Sequence, residues 1–260
     1  MNLKFGTIAS GSSGNCLYAG NGETHILIDA GVSCKRIVEG LKSFDLDGKD
    51  IQGILVTHEH TDHIAGLGVL SRKYHIPIYG TKKTLQKILE MENLGKMDRG
   101  LFQPIEAGKE FQIGHLSIES FSISHDAADP VSYIIYEGGR KLGMVTDLGY
   151  YDDRIVDHLK ASDLLYVEAN HDIHMLQAGP YPYYLKRRIL GNHGHLCNEK
   201  AADLVVELTD DRLKHVILGH LSKENNYPEL ALATVRNEVE KSIRVEVAPR
   251  DHAGELYTID

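Results

Sequence analysis

The chain contains little cysteine and proline and no tryptophan. Its 260 residues include three Cys, seven Pro and no Trp. The cysteines, Cys16, Cys34 and Cys197, are far apart and form no Cys-x-x-Cys pair. This argues against a disulfide scaffold or a thiolate zinc site and is typical of a reducing compartment. Neither a Pro/Ser-rich linker nor an internal repeat is visible, so we expect a single domain over residues 1–260.

Long hydrophobic runs are also absent. The apolar segments are short and strand-like, which excludes a membrane-spanning helix. Strand-like alternation begins at Leu3 and leads into no hydrophobic core of a signal peptide. We therefore expect a cytoplasmic protein with no membrane partner.

Basic residues are outnumbered by acidic ones. Lys and Arg total 28 against 37 Asp and Glu, which gives a formal net charge of −9. A protein that coats nucleic acid through bulk positive charge is therefore excluded, although an enzyme that contacts nucleic acid locally is not. An apolar fraction of 42 % is enough for a sizeable core and argues against disorder.

Strand signals dominate the pattern of apolar residues. Strands are predicted to outnumber helices in each half of the chain, and helices do not follow every strand. This disfavours a doubly wound parallel sheet. It favours an α/β fold in which two mixed β-sheets pack face to face with helices outside.

Histidine is abundant, with 15 residues, and its densest cluster is His58-Glu-His60-Thr-Asp62-His63, directly after a strand predicted to end at Thr57. Side chains alternate faces in an extended chain, so His58, His60 and Asp62 are predicted to point the same way. A turn into a following helix can return His63 to the same place. Three imidazoles and a carboxylate suit Zn²⁺ or Mn²⁺.

Three further ligand-type residues follow apolar strands. They are His125, Asp147 and His220. A carboxylate such as Asp147 can bridge two ions. The segment after His125 also offers Asp126 and Asp129, so either could replace it as a ligand.

The motif from Thr57 to His63, followed by His125, Asp147 and His220, resembles the metallo-β-lactamase superfamily over nearly the whole chain. The resemblance implies a four-layer αβ/βα sandwich with two divalent ions, Mn²⁺ or Zn²⁺, at one edge of the sheets. It places one ion on His58, His60 and His125, and the other on Asp62, His63 and His220. Asp147 is then the bridging ligand.

A second cluster combines Val167-Glu168-Ala-Asn-His171 with Asn192-His193-Gly-His195. It resembles the arrangement in tRNA 3′-processing nucleases of this superfamily, where a Glu–His pair handles protons for the leaving oxygen. Glu168 and His195 hold those positions here. A carboxylate fixes the tautomer of a histidine and raises its basicity, as an acid–base role needs. His171 and His193 are candidate substrate contacts.

Two other segments are candidates for substrate binding. The Ser/Gly loop before the second strand offers hydroxyl and backbone N–H groups to a phosphate. A basic run could bind nucleic acid through charge. In the Ser/Gly loop the candidate residues are Ser10, Ser12, Ser13 and Asn15. In the basic run they are Lys186, Arg187 and Arg188.

The Ser/Gly loop, the segment around His220 and the short length resemble a small bacterial branch of the superfamily. That resemblance implies a cytoplasmic, Mn²⁺-supported 5′→3′ exodeoxyribonuclease that acts on the ends of double-stranded DNA.

The functional hypothesis is therefore a metal-dependent phosphodiesterase that uses a hydroxide held between two ions. Asp62, Glu168 and His195 are assigned catalytic roles. Two alternatives within the fold are a ribonuclease of the tRNA 3′-processing type and a hydrolase of small thioesters, esters or lactones. A metal-bearing binding protein without turnover is a third.

Overall fold

The structure is a computed structural model, and it describes residues 2–259. These residues group into two compact units. The first contains the chain up to Ser122, Ala127–Arg140 and the residues from Pro249, and the second contains Ile123–Asp126 and Lys141–Ala248. Within the described range, no helix is both long and apolar enough to cross a membrane.

The first unit contains a sheet in the strand order β14-β1-β2-β3-β4-β5-β6. Its strands pair antiparallel from β14 to β3 and parallel from β3 to β6. The bounds are β1 Leu3–Ala9, β2 Cys16–Gly20, β3 His25–Ile28, β4 Gly53–Leu55, β5 Ile78–Thr81, β6 Phe102–Ile105 and β14 Leu256–Ile259.

The same unit also contains an antiparallel run of three strands, β7 Glu110–Ile113, β8 Leu116–Ser122 and β9 Val131–Glu137. Its helices are α1 Cys34–Ser43, α2 Thr61–Ile64, α3 Leu67–Tyr74 and α4 Lys82–Leu89. Ser33 caps the N-terminus of α1, because its side chain accepts a hydrogen bond from the Arg36 N–H.

The second unit is built on a parallel run of strands, β10 Arg140–Val145, β11 Leu164–Glu168, β12 His215–Gly219 and β13 Arg244–Val247. Its helices are α5 Asp153–Leu159, α6 Ile173–Ala178, α7 Tyr183–Ile189, α8 Asn198–Glu207 and α9 Pro228–Glu238. Strands β11 and β12 are largely buried, as continuous apolar runs such as Leu-Leu-Tyr-Val predict for parallel strands.

The register of these parallel strands places their carboxyl ends at one level. Val145 pairs with Val167, and Val167 pairs with Leu218. The residues at and just after the carboxyl ends therefore emerge at the same edge, and they include Asp147, Glu168 and His220. This agrees with the general placement of ligand-binding residues beyond the carboxyl ends of parallel strands.

Several elements differ from the sequence-based expectations. Strands β6 and β14 and helices α5 and α6 were not predicted. The side chains of β6 are exposed or half-buried throughout, so its apolar pattern is weak. Helices α5 and α6 have seven and six residues, which is too short for a clear helical period.

Candidate metal centre and proton-transfer pair

In the first unit, the histidine motif runs from the end of β4 into α2. His60 is extended and stands immediately before α2, which begins at Thr61. The expectation that the chain stays extended through Asp62 is therefore wrong, because Asp62 lies in the first turn of a helix. Ring centroids of His58 and His60 are 4.5 Å apart, and those of His58 and His63 are 4.2 Å apart. The Asp62 carboxylate lies 3.4 Å from His63 Nε2.

Asp29, which was not predicted from the sequence as a site residue, supports the orientation of this motif. It follows β3, and β3 runs parallel to β4. Its carboxylate accepts hydrogen bonds from the Thr57 N–H and hydroxyl, both at 2.9 Å, and lies 2.7 Å from His63 Nδ1. An acceptor at Nδ1 fixes the tautomer that leaves Nε2 free of a proton and able to bind a metal. The signal in the sequence was an Asp after an apolar strand, the same signal that pointed to Asp147.

The Ser/Gly loop divides into a buried and an exposed part. Asn15 is buried and supports the motif, because its Nδ2 lies 3.2 Å from His63 Nε2 and its Oδ1 accepts the Gly11 N–H. Gly31 lies so close to this region that a Cβ there would fall 1.7 Å from the Asp62 carbonyl oxygen. Ser10 is buried as well, whereas Ser12 and Ser13 are exposed. An Arg250 Nη donates to the Ser13 hydroxyl at 3.4 Å.

In the second unit, the predicted Glu168–His195 pair is formed. Glu168 Oε1 lies 2.7 Å from His195 Nδ1 and 2.9 Å from His220 Nδ1, and Oε2 accepts the Leu148 N–H at 3.1 Å. Burial alone would raise the pKa of the fully buried Glu168 carboxyl. The charges and hydrogen bonds of His195 and His220 outweigh burial and lower this pKa to about 2. Glu168 is therefore ionised and orients two imidazoles at once.

Asp147 lies at the centre of this second cluster. Its Oδ1 is 3.4 Å from His220 Nε2, 3.6 Å from His195 Nδ1 and 3.8 Å from His125 Nε2. Its other oxygen accepts a hydrogen bond from the Thr146 hydroxyl. Ligand atoms of Asp147, Glu168, His195 and His220 all lie within 4.8 Å of one another, as in a group that can hold an ion.

His125 is the best placed of the three candidates for the third motif. Its Nδ1 lies 3.2 Å from the Gly194 carbonyl oxygen, so Nε2 is left to face Asp147. The Asp126 carboxylate binds the Arg188 guanidinium in a bidentate ion pair, at 2.5 and 3.0 Å, and its Oδ1 also lies 3.5 Å from His125 Nε2. Asp129 belongs to the first unit, where its carbonyl oxygen accepts hydrogen bonds from two threonine hydroxyls.

Three of the residues at strand ends have a left-handed backbone. The φ angles of Asp29, Asp147 and His220 are 62°, 57° and 56°. This region is unfavourable for residues with a Cβ, and such residues concentrate at functional sites. The turn redirects the chain at the strand end, where each side chain joins the polar cluster of its own unit. Gly219 precedes His220 and has no room for a side chain, because a Cβ there would meet the Tyr166 ring at 2.1 Å.

The remaining histidines of the second cluster differ in exposure. His193 Nδ1 lies 3.0 Å from the Ser124 hydroxyl at the surface. His171 is 1 % exposed, and neither ring nitrogen has a hydrogen-bond partner among the described residues. Burial, assisted by the charge of His195, lowers the pKa of His171 to about 4, against the opposing influence of Glu168 and Asp172. This imidazole is neutral near pH 7.

The basic run lies on α7, and its three side chains have different environments. Lys186 donates to the Gln177 and Gly179 carbonyl oxygens, both at 2.7 Å, and Arg188 is paired with Asp126. The Arg187 guanidinium lies over the Tyr183 ring, 6.0 Å from its centroid.

The donor sets in both units fit divalent metal ions. Each donor set contains imidazoles whose Nδ1 atom lies against a hydrogen-bond acceptor. In each set a carboxylate oxygen also lies close to an imidazole Nε2 atom. Such support behind the ligands is the usual arrangement around protein-bound zinc and related ions. The identity and number of ions are not fixed by these contacts, since His/Asp sets accept several metals.

Comparison with known proteins gives matches over nearly the whole chain. A family model described as a beta-lactamase superfamily domain matches residues 24–220. Exodeoxyribonuclease YycJ of Bacillus anthracis is 43 % identical over 241 residues, which cover 93 % of this chain and 90 % of the relative. Exodeoxyribonuclease WalJ of Streptococcus pneumoniae serotype 2 is 41 % identical over 237 residues, or 91 % and 88 % of the two chains.

Among solved structures, the metallo-β-lactamase fold protein YhfI from Bacillus subtilis aligns with a TM-score of 0.74 and 17 % identity, covering 99 % of both chains. At that identity the likeness concerns the fold alone. It confirms the predicted class, two mixed sheets flanked by helices.

Proposed function

The chain belongs to the metallo-β-lactamase superfamily, and from this premise we propose that it is a metal-dependent 5′→3′ exodeoxyribonuclease acting on the ends of double-stranded DNA. The observation that carries the proposal is the Glu168–His195 pair, which lies beside the candidate ligands at the strand ends. The chain that contains this pair matches exodeoxyribonucleases over about nine-tenths of its length. A nucleic-acid substrate accords with these relatives. The preference for duplex ends and the polarity are part of the proposal.

We assign metal binding to the residues that the sequence pattern selected. In the first unit these are His58, His60, Asp62 and His63. In the second they are His125, Asp147 and His220. Divalent ions held by these groups, two Mn²⁺ or Zn²⁺ per chain in our proposal, would supply Lewis-acid stabilisation of the charge that develops on the phosphoryl oxygens.

His195 is assigned the proton transfer to the leaving oxygen. Its Nδ1 is occupied by Glu168, so Nε2 is the nitrogen that can carry the transferred proton. The side chain is 15 % exposed, which allows access from solvent and substrate. In hydrolysis from a 5′ end, the leaving group is the 3′ oxygen of the terminal nucleotide, and protonation of that oxygen is the step that His195 assists.

The test is a Mn²⁺-supported assay on three substrates. They are a duplex DNA labelled at a 5′-phosphorylated end, the same duplex labelled at the 3′ end of that strand, and a tRNA precursor. We expect immediate release of the 5′ label as a mononucleotide and progressive shortening of the 3′-labelled strand. Release of the 3′ label first would overturn the polarity, and cleavage of the tRNA precursor alone would overturn the DNA substrate.

A further inference from the structure

Helix α7 presents two tyrosines to solvent on the most basic part of the chain. Tyr183 and Tyr184 are 75 % and 74 % exposed, more than any other large apolar or aromatic side chain identified as exposed. No Asp or Glu occurs between Asp172 and Glu199, in a protein with 37 acidic residues. The helix and the chain on either side of it therefore form a local positive region on an acidic protein.

The three cations of this helix have separate roles. Lys186 is held by two carbonyl oxygens at the end of α6, and Arg188 is neutralised by Asp126. Arg187 is exposed and lies over the Tyr183 ring. The side chains that face outward together are thus a guanidinium and two phenol rings.

The helix is fixed to the strand-end cluster of its own unit. Arg188 binds Asp126, which directly follows His125. Beyond the helix, His193 lies 3.0 Å from the Ser124 hydroxyl, and Gly194 faces His125 through its carbonyl oxygen. These contacts fix α7 relative to the residues that carry the proposed chemistry.

This combination of groups matches one kind of ligand. Aromatic rings stack on nucleobases whatever their sequence, and a guanidinium beside them contacts the phosphate that follows. Two adjacent tyrosines at this exposure place their rings side by side at the surface, where both are accessible to a ligand. The absence of acidic residues in the segment favours a polyanion over a protein partner of mixed charge.

We propose that Tyr183, Tyr184 and Arg187 form a stacking platform for the bases of the DNA strand. This inference rests on the proposed function and deepens it. Stacking does not use the hydrogen-bonding edges of the bases, so the platform binds strands of any sequence. It favours nucleotides that are unpaired at the end being digested. The basic run predicted from the sequence to bind substrate is thereby reduced to one direct contact, Arg187.

The experiment compares binding of two single-stranded oligonucleotides of equal length, one with bases and one abasic. Fluorescence anisotropy in EDTA measures affinity without cleavage. The Tyr183→Ala/Tyr184→Ala double variant should lose about 10-fold or more in affinity for the oligonucleotide with bases, and little for the abasic one. The double change to Phe should restore binding, because it retains the rings.

Two further variants separate charge from stacking. Arg187→Ala should weaken binding of both oligonucleotides and reduce the salt dependence. Tyr227→Ala removes a tyrosine that is 60 % exposed at the start of α9 and should change neither. If the double Ala variant keeps the wild-type preference for bases over the abasic strand, the platform does not exist.

Hydrolysis of duplex DNA by the same preparations separates the two proposals. A wild-type protein that leaves duplex DNA intact contradicts the proposed function. A wild-type protein that cleaves, beside a double Ala variant with unchanged KM and oligonucleotide affinity, contradicts the platform alone. The expected result is a raised KM with kcat nearly unchanged.

Discussion

The two units position their candidate ligands in opposite ways. In the first, four candidate ligands come from six consecutive residues at one strand end, and the buried carboxylate of Asp29 contacts Thr57 and His63 behind them. In the second, each candidate ligand follows a different segment, and the parallel register brings Asp147 and His220 to one level. The first arrangement depends on local chain geometry, and the second depends on the whole sheet. A substitution should therefore act locally in the first unit and through several side chains in the second.

The largest expected effect follows from removing one ligand carboxylate in each unit. Asp62→Asn and Asp147→Asn should both reduce nuclease activity to background, because a neutral amide is a poor ligand for a hard divalent ion. Elemental analysis should show reduced bound metal in both. The exposed Asp157→Asn is the matched control. Full metal content and wild-type rates in either variant would refute the ligand assignment for that unit.

The next effect concerns the proton-transfer pair. His195→Ala should slow hydrolysis by about 10²–10⁴-fold while the metal content stays at the wild-type level. Glu168→Gln should be at least as severe, because Glu168 also orients His220. Single-turnover rates and elemental analysis distinguish His195→Ala from loss of a ligand. A His195→Ala enzyme with unchanged single-turnover rates would rule out the assigned role.

A smaller effect is expected at Asp29. Asp29→Asn keeps the shape but removes the charge that fixes the His63 tautomer, and loss of such support typically costs 10–100-fold in metal affinity. Competition with a chromogenic chelator measures the change. Because the supporting residue in this unit acts on a contiguous motif, hydrolysis at saturating metal should recover. If hydrolysis stays slow at saturating metal, loss of Asp29 acts on more than metal affinity. A substitution in the first unit would then act through several side chains, as in the second.

The smallest predicted effect concerns His171. The unfolded chain takes up a proton at this imidazole near its ordinary pKa of 6.5, whereas the folded chain does so only near 4. Acidification between those values therefore stabilises the unfolded state, and this contribution lowers the free energy of unfolding by up to about 2 kcal/mol between pH 7 and 5. His171→Gln should remove that part of the pH dependence.

Urea denaturation at pH 7, 6 and 5 tests the prediction for His171. The same change at the exposed His174 in α6 is the control. Identical pH dependence in wild type and His171→Gln would show that the buried imidazole does not titrate as proposed. In the first unit, the buried His63 instead faces the Asp29 carboxylate.

The difference between the units also explains what the sequence could predict. A motif of adjacent residues is visible in the sequence, and the strand ends at Asp147 and His220 are visible because apolar runs precede them. The contact of Glu168 with His220 was not predictable, because it depends on the pairing of Glu168 with Gly219, which lies 51 residues further along the chain. Asp29 showed the same signal as Asp147, but its role depends on contacts with Thr57 and His63, which are distant in sequence. The separate environments of Lys186 and Arg188 depend on contacts distant in sequence.

The left-handed turns at Asp29, Asp147 and His220 affect how this chain can be changed. Each conformation costs of order 1–3 kcal/mol in a residue with a side chain, whereas glycine adopts it freely. Selection for thermostability alone would therefore favour glycine at positions 147 and 220 and discard the groups proposed to hold metal. A search for stabilised variants of this protein would therefore include substitutions that remove its activity, so activity must be screened alongside melting temperature.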